Sequence, residues 1–389
     1  MNLLSNTLYD VAIIGAGIAG TYCASVLQKA GYRVCLIEKG RGTGGRASSR
    51  RLPPQEEGVQ QSCDLGAPFF HAKAGQLVND IQQWLADDVI AAWPAADQAD
   101  KGLAYTGIPS MSALTRYLAQ HCDLYTQQRI SHIDRTDNIW SLRNDSYKTL
   151  IKAKRVVITA PAAQTAHLLT SPDAPTAWLQ QAHIASRQCL PQWAAVVTEG
   201  AEGADGIEGV EVSESMLSQM PDMLEVDHPV LAKIIHDIAK PRRSNKPAGS
   251  SNPSRWVLQA SLEWSELHKD SNADDIGELM LAAFKQLLLD KAGASPELVE
   301  PELTQPDLIQ SDLIQSDLII ATPHLWRLGR HQPSSDVSNQ VEEQQAGMLW
   351  DPSSGLAVSA DWLGAGTIVS AIHSAQQLCQ AMMVDGNID

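Results

Sequence analysis

The 389-residue chain is poor in aromatic rings, poor in positive charge and without long apolar runs. Aromatics make up 5% of it, and its 10 Trp outnumber its 3 Phe, so a solitary Trp marks nothing by itself. Lys and Arg total 29 against 45 Asp and Glu, a formal net charge of −16. That balance disfavours nucleic acid and anionic membrane surfaces, which both reward basic patches. No segment approaches the roughly 18–20 apolar residues of a membrane span, so no membrane partner is expected. The opening MNLLSNTLYD lacks a basic start followed by an apolar run, and no secretory leader is expected. The six cysteines (Cys23, Cys35, Cys63, Cys122, Cys189, Cys379) form no CxxC pair and no Cys/His cluster with zinc spacing. They give no metal site and read as reduced, buried thiols of a cytoplasmic protein.

The length suggests about two to three domains. Three β-rich stretches look like visits to one sheet: the glycine-dense first fifty residues, Leu150 to Pro161, and Gly355 to Ala360. The last leads into Asp361 and a helically periodic stretch to Met383, with Ile368, Ile372, Ala375, Leu378 and Cys379 on one face. Val230 to Asp237 and Trp256 to Ser261 read instead as antiparallel strands of a second domain. Residues 273–294 are helical by period, with Ile276, Met280, Ala283, Phe284, Leu287 and Leu288 together. The acidic segment 199–227 reads as an exposed excursion and the basic 240–255 as a flexible loop. The five-residue repeat across 306–320 fits no solenoid.

The strongest signal is Tyr9-Asp-Val-Ala-Ile-Ile-Gly15-Ala-Gly17-Ile18-Ala19-Gly20. An apolar strand runs into GxGxxG, a helix follows over Thr21 to Ala30, and a second strand from Tyr32 ends at Glu38. Gly15 permits the turn, Gly17 removes a side chain that would block a pyrophosphate, and Gly20 lets helix and strand pack closely. The helix N-terminus offers unpaired N–H groups to phosphates, and Glu38 can accept from ribose hydroxyls. An acid there disfavours a ribose 2′-phosphate. A second glycine turn follows in Glu38-Lys39-Gly-Arg41-Gly-Thr-Gly44-Gly45-Arg46. NAD dehydrogenases do not need it; a longer ligand with a deeply set pyrophosphate does. Arg46 can fork onto a phosphate, and Gly44 and Gly45 let backbone approach.

GxGxxG with Glu38 and then Gly-Gly-Arg resembles the FAD-binding domain of the flavin amine oxidase superfamily. Glu38-Lys-x-Arg41-Gly-x-Gly-Gly-Arg46 is similar to its renalase-like branch. Asp64-x-Gly66-Ala67, Gly107-x-Pro109-x-Met111, Lys240-Pro-x-Arg243, Trp256-Val-Leu-Gln-Ala-Ser, His324-x-Trp326-Arg327 and Asp361-Trp362 match that branch in order. The resemblance implies an α/β chain: a Rossmann-like FAD-binding domain with a smaller α+β substrate domain built on an antiparallel sheet. The expected first domain takes residues 1–75, 105–172 and 320–389, and the second 76–104 and 173–319.

It also implies an oxidase that moves hydride from a reduced substrate to flavin and electrons to O2, releasing hydrogen peroxide. For renalases the implied substrates are the 2- and 6-dihydro isomers of NAD(P). An amine oxidase or desaturase, and a flavin binder without turnover, stand as alternatives. Several cofactor contacts follow from the resemblance. Asp361 would meet the ribityl hydroxyls, and the helix start at Thr367 and Ile368 the flavin. Ile130, in a strand, would meet adenine, and Pro161 ends another strand beside the dinucleotide. Gly66 and Ala67 would be small where the ring nears the backbone. His324, Trp326 and Arg327 are the substrate-pocket candidates, with His71 as an outlying one. No side chain is assigned as catalytic acid or base, because flavin itself does the hard chemistry. Gly17→Leu is expected to yield colourless purified protein; a variant that stays yellow with full flavin would contradict the placement of the pyrophosphate.

Overall fold

The structure, a computed structural model, describes residues 7–52, 62–199, 217, 219–243, 254–291, 318–332 and 347–385. The 306–317 part of the repeat, residues 200–216 of the acidic segment and 244–253 of the basic loop lie outside the described residues.

The strands are β1 (Leu8–Ile14), β2 (Val34–Ile37), β3 (Arg50–Arg51), β4 (Ser62–Cys63), β5 (Phe70–Ala72), β6 (Ile90–Ala92), β7 (Leu103–Gly107), β8 (Asp123–Tyr125) and β9 (His132–Thr136). They continue with β10 (Ile139–Arg143), β11 (Thr149–Ile158), β12 (Cys189–Glu199), β13 (Met223–Glu225), β14 (Leu231–His236), β15 (Arg255–Ala260), β16 (Leu318–His331), β17 (Leu349–Asp351) and β18 (Leu356–Val358). The helices are α1 (Ile18–Lys29), α2 (Val78–Ala86), α3 (Ser112–Ala119), α4 (Ala162–Leu168), α5 (Thr176–Ser186), α6 (Leu262–Leu267), α7 (Ala273–Lys291) and α8 (Ile368–Val384).

The first sheet runs β17-β18-β11-β1-β2-β8, and β8, β2, β1, β11 and β18 are mutually parallel. Its central segments, Val11–Ile14, Val34–Ile37, Val156–Ile158 and Leu356–Val358, are wholly apolar because both faces are covered there. One face packs on α1, α3 and α8, the other on α4 and α5 with the β9–β10 hairpin. The long β11 shares one edge between two partners: β10 pairs with its first half, antiparallel, and β18 with its last three residues. The three β-rich stretches thus meet in one sheet, as expected.

The second sheet, β13-β14-β15-β12-β16, is antiparallel throughout. Alternation sorts its faces. Trp193, Ala195, Val197, Trp256, Leu258 and Ala260 point toward α7, where Ile276, Met280 and Phe284 are buried. Ala194, Val196, Ile235 and Val257 point the other way, onto Leu65, Phe69 and Trp93. This second face looks toward the first sheet and carries the residues that matter below.

A buried ionic cluster fixes the two bodies together. Asp64, from the first body, meets Lys240 at 3.1 Å and also accepts from Arg243. Lys240 holds Asp237 at 2.9 Å, and Arg255 closes on Asp237 at 3.3 Å. Asp64 also accepts from Ser49 Oγ at 2.6 Å and Met111 N–H at 3.1 Å. The Asp64, Lys240 and Met111 motifs, far apart in sequence, therefore form one cluster. Burial pushes the Asp237 carboxyl up, but Lys240, Arg243 and Arg255 push harder and leave it well below the usual range. A carboxyl depressed on folding stabilises the fold above its unfolded value, about pH 4, and that contribution is lost as pH falls. Removing one partner of such a cluster strands buried charge and costs about 3–5 kcal/mol. Asp64→Asn should lose about that much in denaturant unfolding at pH 7, and wild type should weaken steeply below pH 4. An Asp64→Asn variant as stable as wild type would show that the cluster does not join the bodies.

Candidate functional site

The GxGxxG turn is held from three sides. Gly15 N–H donates to Ile37 O at 2.8 Å, and Thr159 Oγ donates to Ile14 O and Gly15 O at 3.0 Å. Gly15 has φ +107°, open to glycine but strained for other residues. A Cβ built on Gly20 would collide with the Gly15 carbonyl, whereas one on Gly17 meets nothing within 4 Å. Gly17 is also the N-cap of α1, with no side-chain cap and no acid in the first turn. The helix therefore starts with unpartnered N–H groups facing open space, an anion cradle.

Glu38 lies at the end of β2, almost fully buried. Its Oε2 accepts from Ala16 N–H at 2.9 Å and its Oε1 from Gly40 N–H at 2.6 Å. The second glycine turn docks on the first: Gly44 N–H donates to Ala16 O at 2.9 Å. A third segment docks on the second, with Ala67 N–H donating to Arg46 O at 2.9 Å. A Cβ on Gly66 would collide with that same Arg46 carbonyl. The smallness of Gly66 is thus demanded by neighbouring protein backbone, a reason not read from the sequence.

These segments line one continuous cavity of about 1940 Å³. Ligand pockets usually hold about 300–1,000 Å³, so the space exceeds that of a single small ligand. Gly15, Gly17, Ile18, Ala19, Glu38, Lys39, Arg41, Gly44, Gly45, Arg46, Gly66, Ala67, Ile130, Pro161, Asp361, Thr367 and Ile368 all line it. Gly20 does not; it is buried against Gly15 as its packing role requires. Ile130 lies in an irregular segment before β9, not within a strand. Pro161 is the N-cap of α4. Thr367 caps α8, its Oγ accepting from Ser370 N–H at 3.0 Å. Arg46 donates to Asp361 at 2.6 Å, so the two residues read as separate ligand contacts are partners of each other. Burial pulls the Arg46 pKa down, but Asp361 outweighs it and keeps the guanidinium charged.

The substrate candidates separate. Trp326 lies on β16 against Gly66, lines the cavity and keeps a buried Nε1–H without a partner among the described residues. His71 lines it too, with Nε2 on Ala96 O at 2.8 Å and its ring edge-on to Phe69. Arg327 sits at the rim, exposed and 3.4 Å from Asp270. His324 is exposed, packs edge-on to Trp326 and is not on the lining.

The sequence reading missed four polar residues on the cavity-facing side of the second sheet. Gln259 donates to Gly66 O at 2.6 Å, and Arg330 donates to Gln192 Oε1 at 3.1 Å and Gln259 Oε1 at 3.4 Å. Lys233 reaches Glu225 at 3.1 Å, with its Nζ 5.0 Å from the Phe69 ring centre. The available signal was alternation: Lys233, Gln192 and Gln259 each sit between apolar neighbours on their strands, whereas β16 around Arg330 is too mixed to show it.

A family profile for an NAD(P)-binding Rossmann-like domain matches residues 13–84. An L-amino-acid oxidase of Siganus canaliculatus is 45% identical over 62 residues, 16% of this chain and 11% of that protein. A vinyl phenol reductase of Lactiplantibacillus plantarum is 28% identical over 121 residues, 29% of this chain and 24% of that one. The matches span less than a quarter of the length of these relatives. Among solved structures, one described as a protoporphyrinogen oxidase from Exiguobacterium sp. 255-15 superposes with TM-score 0.54 at 13% identity. Putrescine oxidase bound to putrescine does so with the same two values. Each covers 98% of this chain and 100% of the solved chain. At that identity the likeness is one of fold. Residues 13–84 thus match a Rossmann-like domain, and the whole chain shares its fold with these two solved structures.

Gly66→Ala should lose about 3 kcal/mol of stability by overpacking, with a lower flavin content on purification. Normal melting and normal flavin content together would show that the Gly66–Arg46 contact is not needed.

Proposed function

We propose that the chain is an FAD-dependent oxidase of an anionic reduced dinucleotide, with the 2- and 6-dihydro isomers of NAD(P) as substrates and O2 as acceptor. The observation that carries the substrate class is charge. The protein has a formal net charge of −16, yet the only acids lining the cavity, among the described residues, are Glu38 and Asp361. Asp361 is paired with Arg46. Against them the lining sets Arg50, Lys101, Lys233, Arg327 and Arg330 beside the second sheet and the Arg50 strand; Lys101 and Lys233 share the one carboxylate of Glu225, and Arg327 faces Asp270. Such a field draws an anionic dinucleotide in and repels a protonated amine. The ordered motifs shared with the renalase-like branch support the same substrate.

The residues present fit FAD. The α1 N-terminus and the open space above Gly17 suit a pyrophosphate, and Glu38 suits the adenosine ribose. Ile130 and Pro161 would flank the adenosine end. Gly44, Gly45 and Arg46 would cover the phosphates. Gly66, Ala67, Asp361, Thr367 and Ile368 would surround the ribityl chain and ring. The chemistry FAD supplies when bound is acceptance of hydride and return of the electrons to O2 as hydrogen peroxide. The protein's part is to hold the donor in place and keep water out. Trp326 lines the cavity and would meet a planar ring there, and its buried Nε1–H has no partner among the described residues. His71 is held by the Ala96 carbonyl and serves as wall. The six cysteines are free thiols, which suits a cytoplasmic protein, and no helix among the described residues is long and apolar enough to cross a membrane.

Anaerobic mixing of yellow protein with misreduced NADH should bleach the flavin within seconds, and air should restore the colour with formation of hydrogen peroxide. Putrescine and other common amines should leave the spectrum unchanged. Bleaching by amines alone would replace this reading with amine oxidation; bleaching by neither would leave a flavin binder without turnover.

A further inference from the structure

Two cations on the sheet wall of the cavity are not used by the nucleotide cradle. Arg330 sits on β16 on the same face as Trp326, and its hydrogen-bond partners, Gln192 and Gln259, are neutral. Among the described residues no carboxylate comes within ion-pair distance of it. Asp361, which acts on Arg330 from a distance, is engaged by Arg46. Lys233 shares this wall, and Glu225 satisfies it only in part: Glu225 also reaches Lys101 at 3.6 Å. Burial pushes the Arg330 pKa down, with Arg46 adding to it, and burial and Arg330 do the same to Lys233. Each cation is thus desolvated and faces another cation, costs that Asp361 and Glu225 offset only in part, with a cavity in front of it. An anion entering that cavity relieves both costs at once. The two glutamines hold Arg330 in place, so the guanidinium is oriented before the anion arrives.

We propose that Arg330 and Lys233 form an anion-binding subsite on the sheet wall of the cavity, taking a phosphate or carboxylate of the molecule to be oxidised. The subsite rests on the reading above only in that a second molecule shares the cavity with the cofactor. It sets specificity: it selects donors that carry a negative group and positions them over Trp326 and Phe69.

The test is calorimetric titration of the purified protein with inorganic pyrophosphate and, separately, benzoate, alongside the visible spectrum of the flavin. Wild type is expected to bind at least one of them, more weakly as salt is raised. Lys233→Gln should weaken that binding tenfold or more at unchanged flavin content, and Arg330→Gln should weaken it as much, with partial recovery in Arg330→Lys. Binding of pyrophosphate alone assigns the subsite to phosphate, and binding of benzoate alone assigns it to carboxylate. Failure of wild type to bind either anion overturns the proposal. Equal affinities in wild type and Lys233→Gln overturn it too, as does a change in flavin content with anion affinity unmoved. The titration involves no turnover, so a failure of dihydronicotinamides to bleach the flavin leaves its outcome intact.

Discussion

The Arg46 carbonyl is the point on which the site depends. It accepts from Ala67 N–H and leaves no room for a side chain on Gly66. Through it three glycine-bearing turns stack: Gly44 on Ala16, then Gly66 and Ala67 on Arg46. A Cβ on Gly66 would collide with the Arg46 carbonyl and one on Gly44, at φ +129°, with Ser48, so the stack needs glycine at both positions. The result is a wall of backbone along a cavity that begins at Glu38 and ends under the second sheet.

That second sheet is tied to the same stack. Gln259 donates to the Gly66 carbonyl, and Arg330 steadies Gln259 from the other side. The buried ions around Asp64 and Lys240 add a second attachment a few residues earlier. The two bodies are therefore fastened where the cofactor loops turn. The chain carries a net charge of −16, yet the described lining of the cavity holds cations from both bodies, Arg50 and Arg116 from the first and Lys233 and Arg330 from strands of the second, against the acids Glu38 and Asp361.

Much of this was legible in the residues. The Gly15–Gly20 fingerprint, Glu38 and the Gly-Gly-Arg turn each carry a local backbone demand, and local demands can be read from neighbours in sequence. The first sheet and the β14–β15 pair followed from period and composition in the same way. Three things were not legible. The pairing of Arg46 with Asp361 is a meeting of residues from opposite ends of the chain. His324 and Trp326 share a motif and stand two residues apart in regular register, yet His324 is exposed and Trp326 lies on the cavity. Arg330, Lys233, Gln192 and Gln259 carry no motif, because what assembles them is the face of a sheet whose order no single segment encodes.

The central claim is that this cavity holds FAD, and it is tested most directly by the visible spectrum of the native protein with a count of the flavin released on denaturation. The account requires an oxidised-flavin spectrum and close to one FAD per chain, either as purified or after incubation with FAD. A colourless protein that takes up no FAD when offered it contradicts the account, whatever else the protein binds.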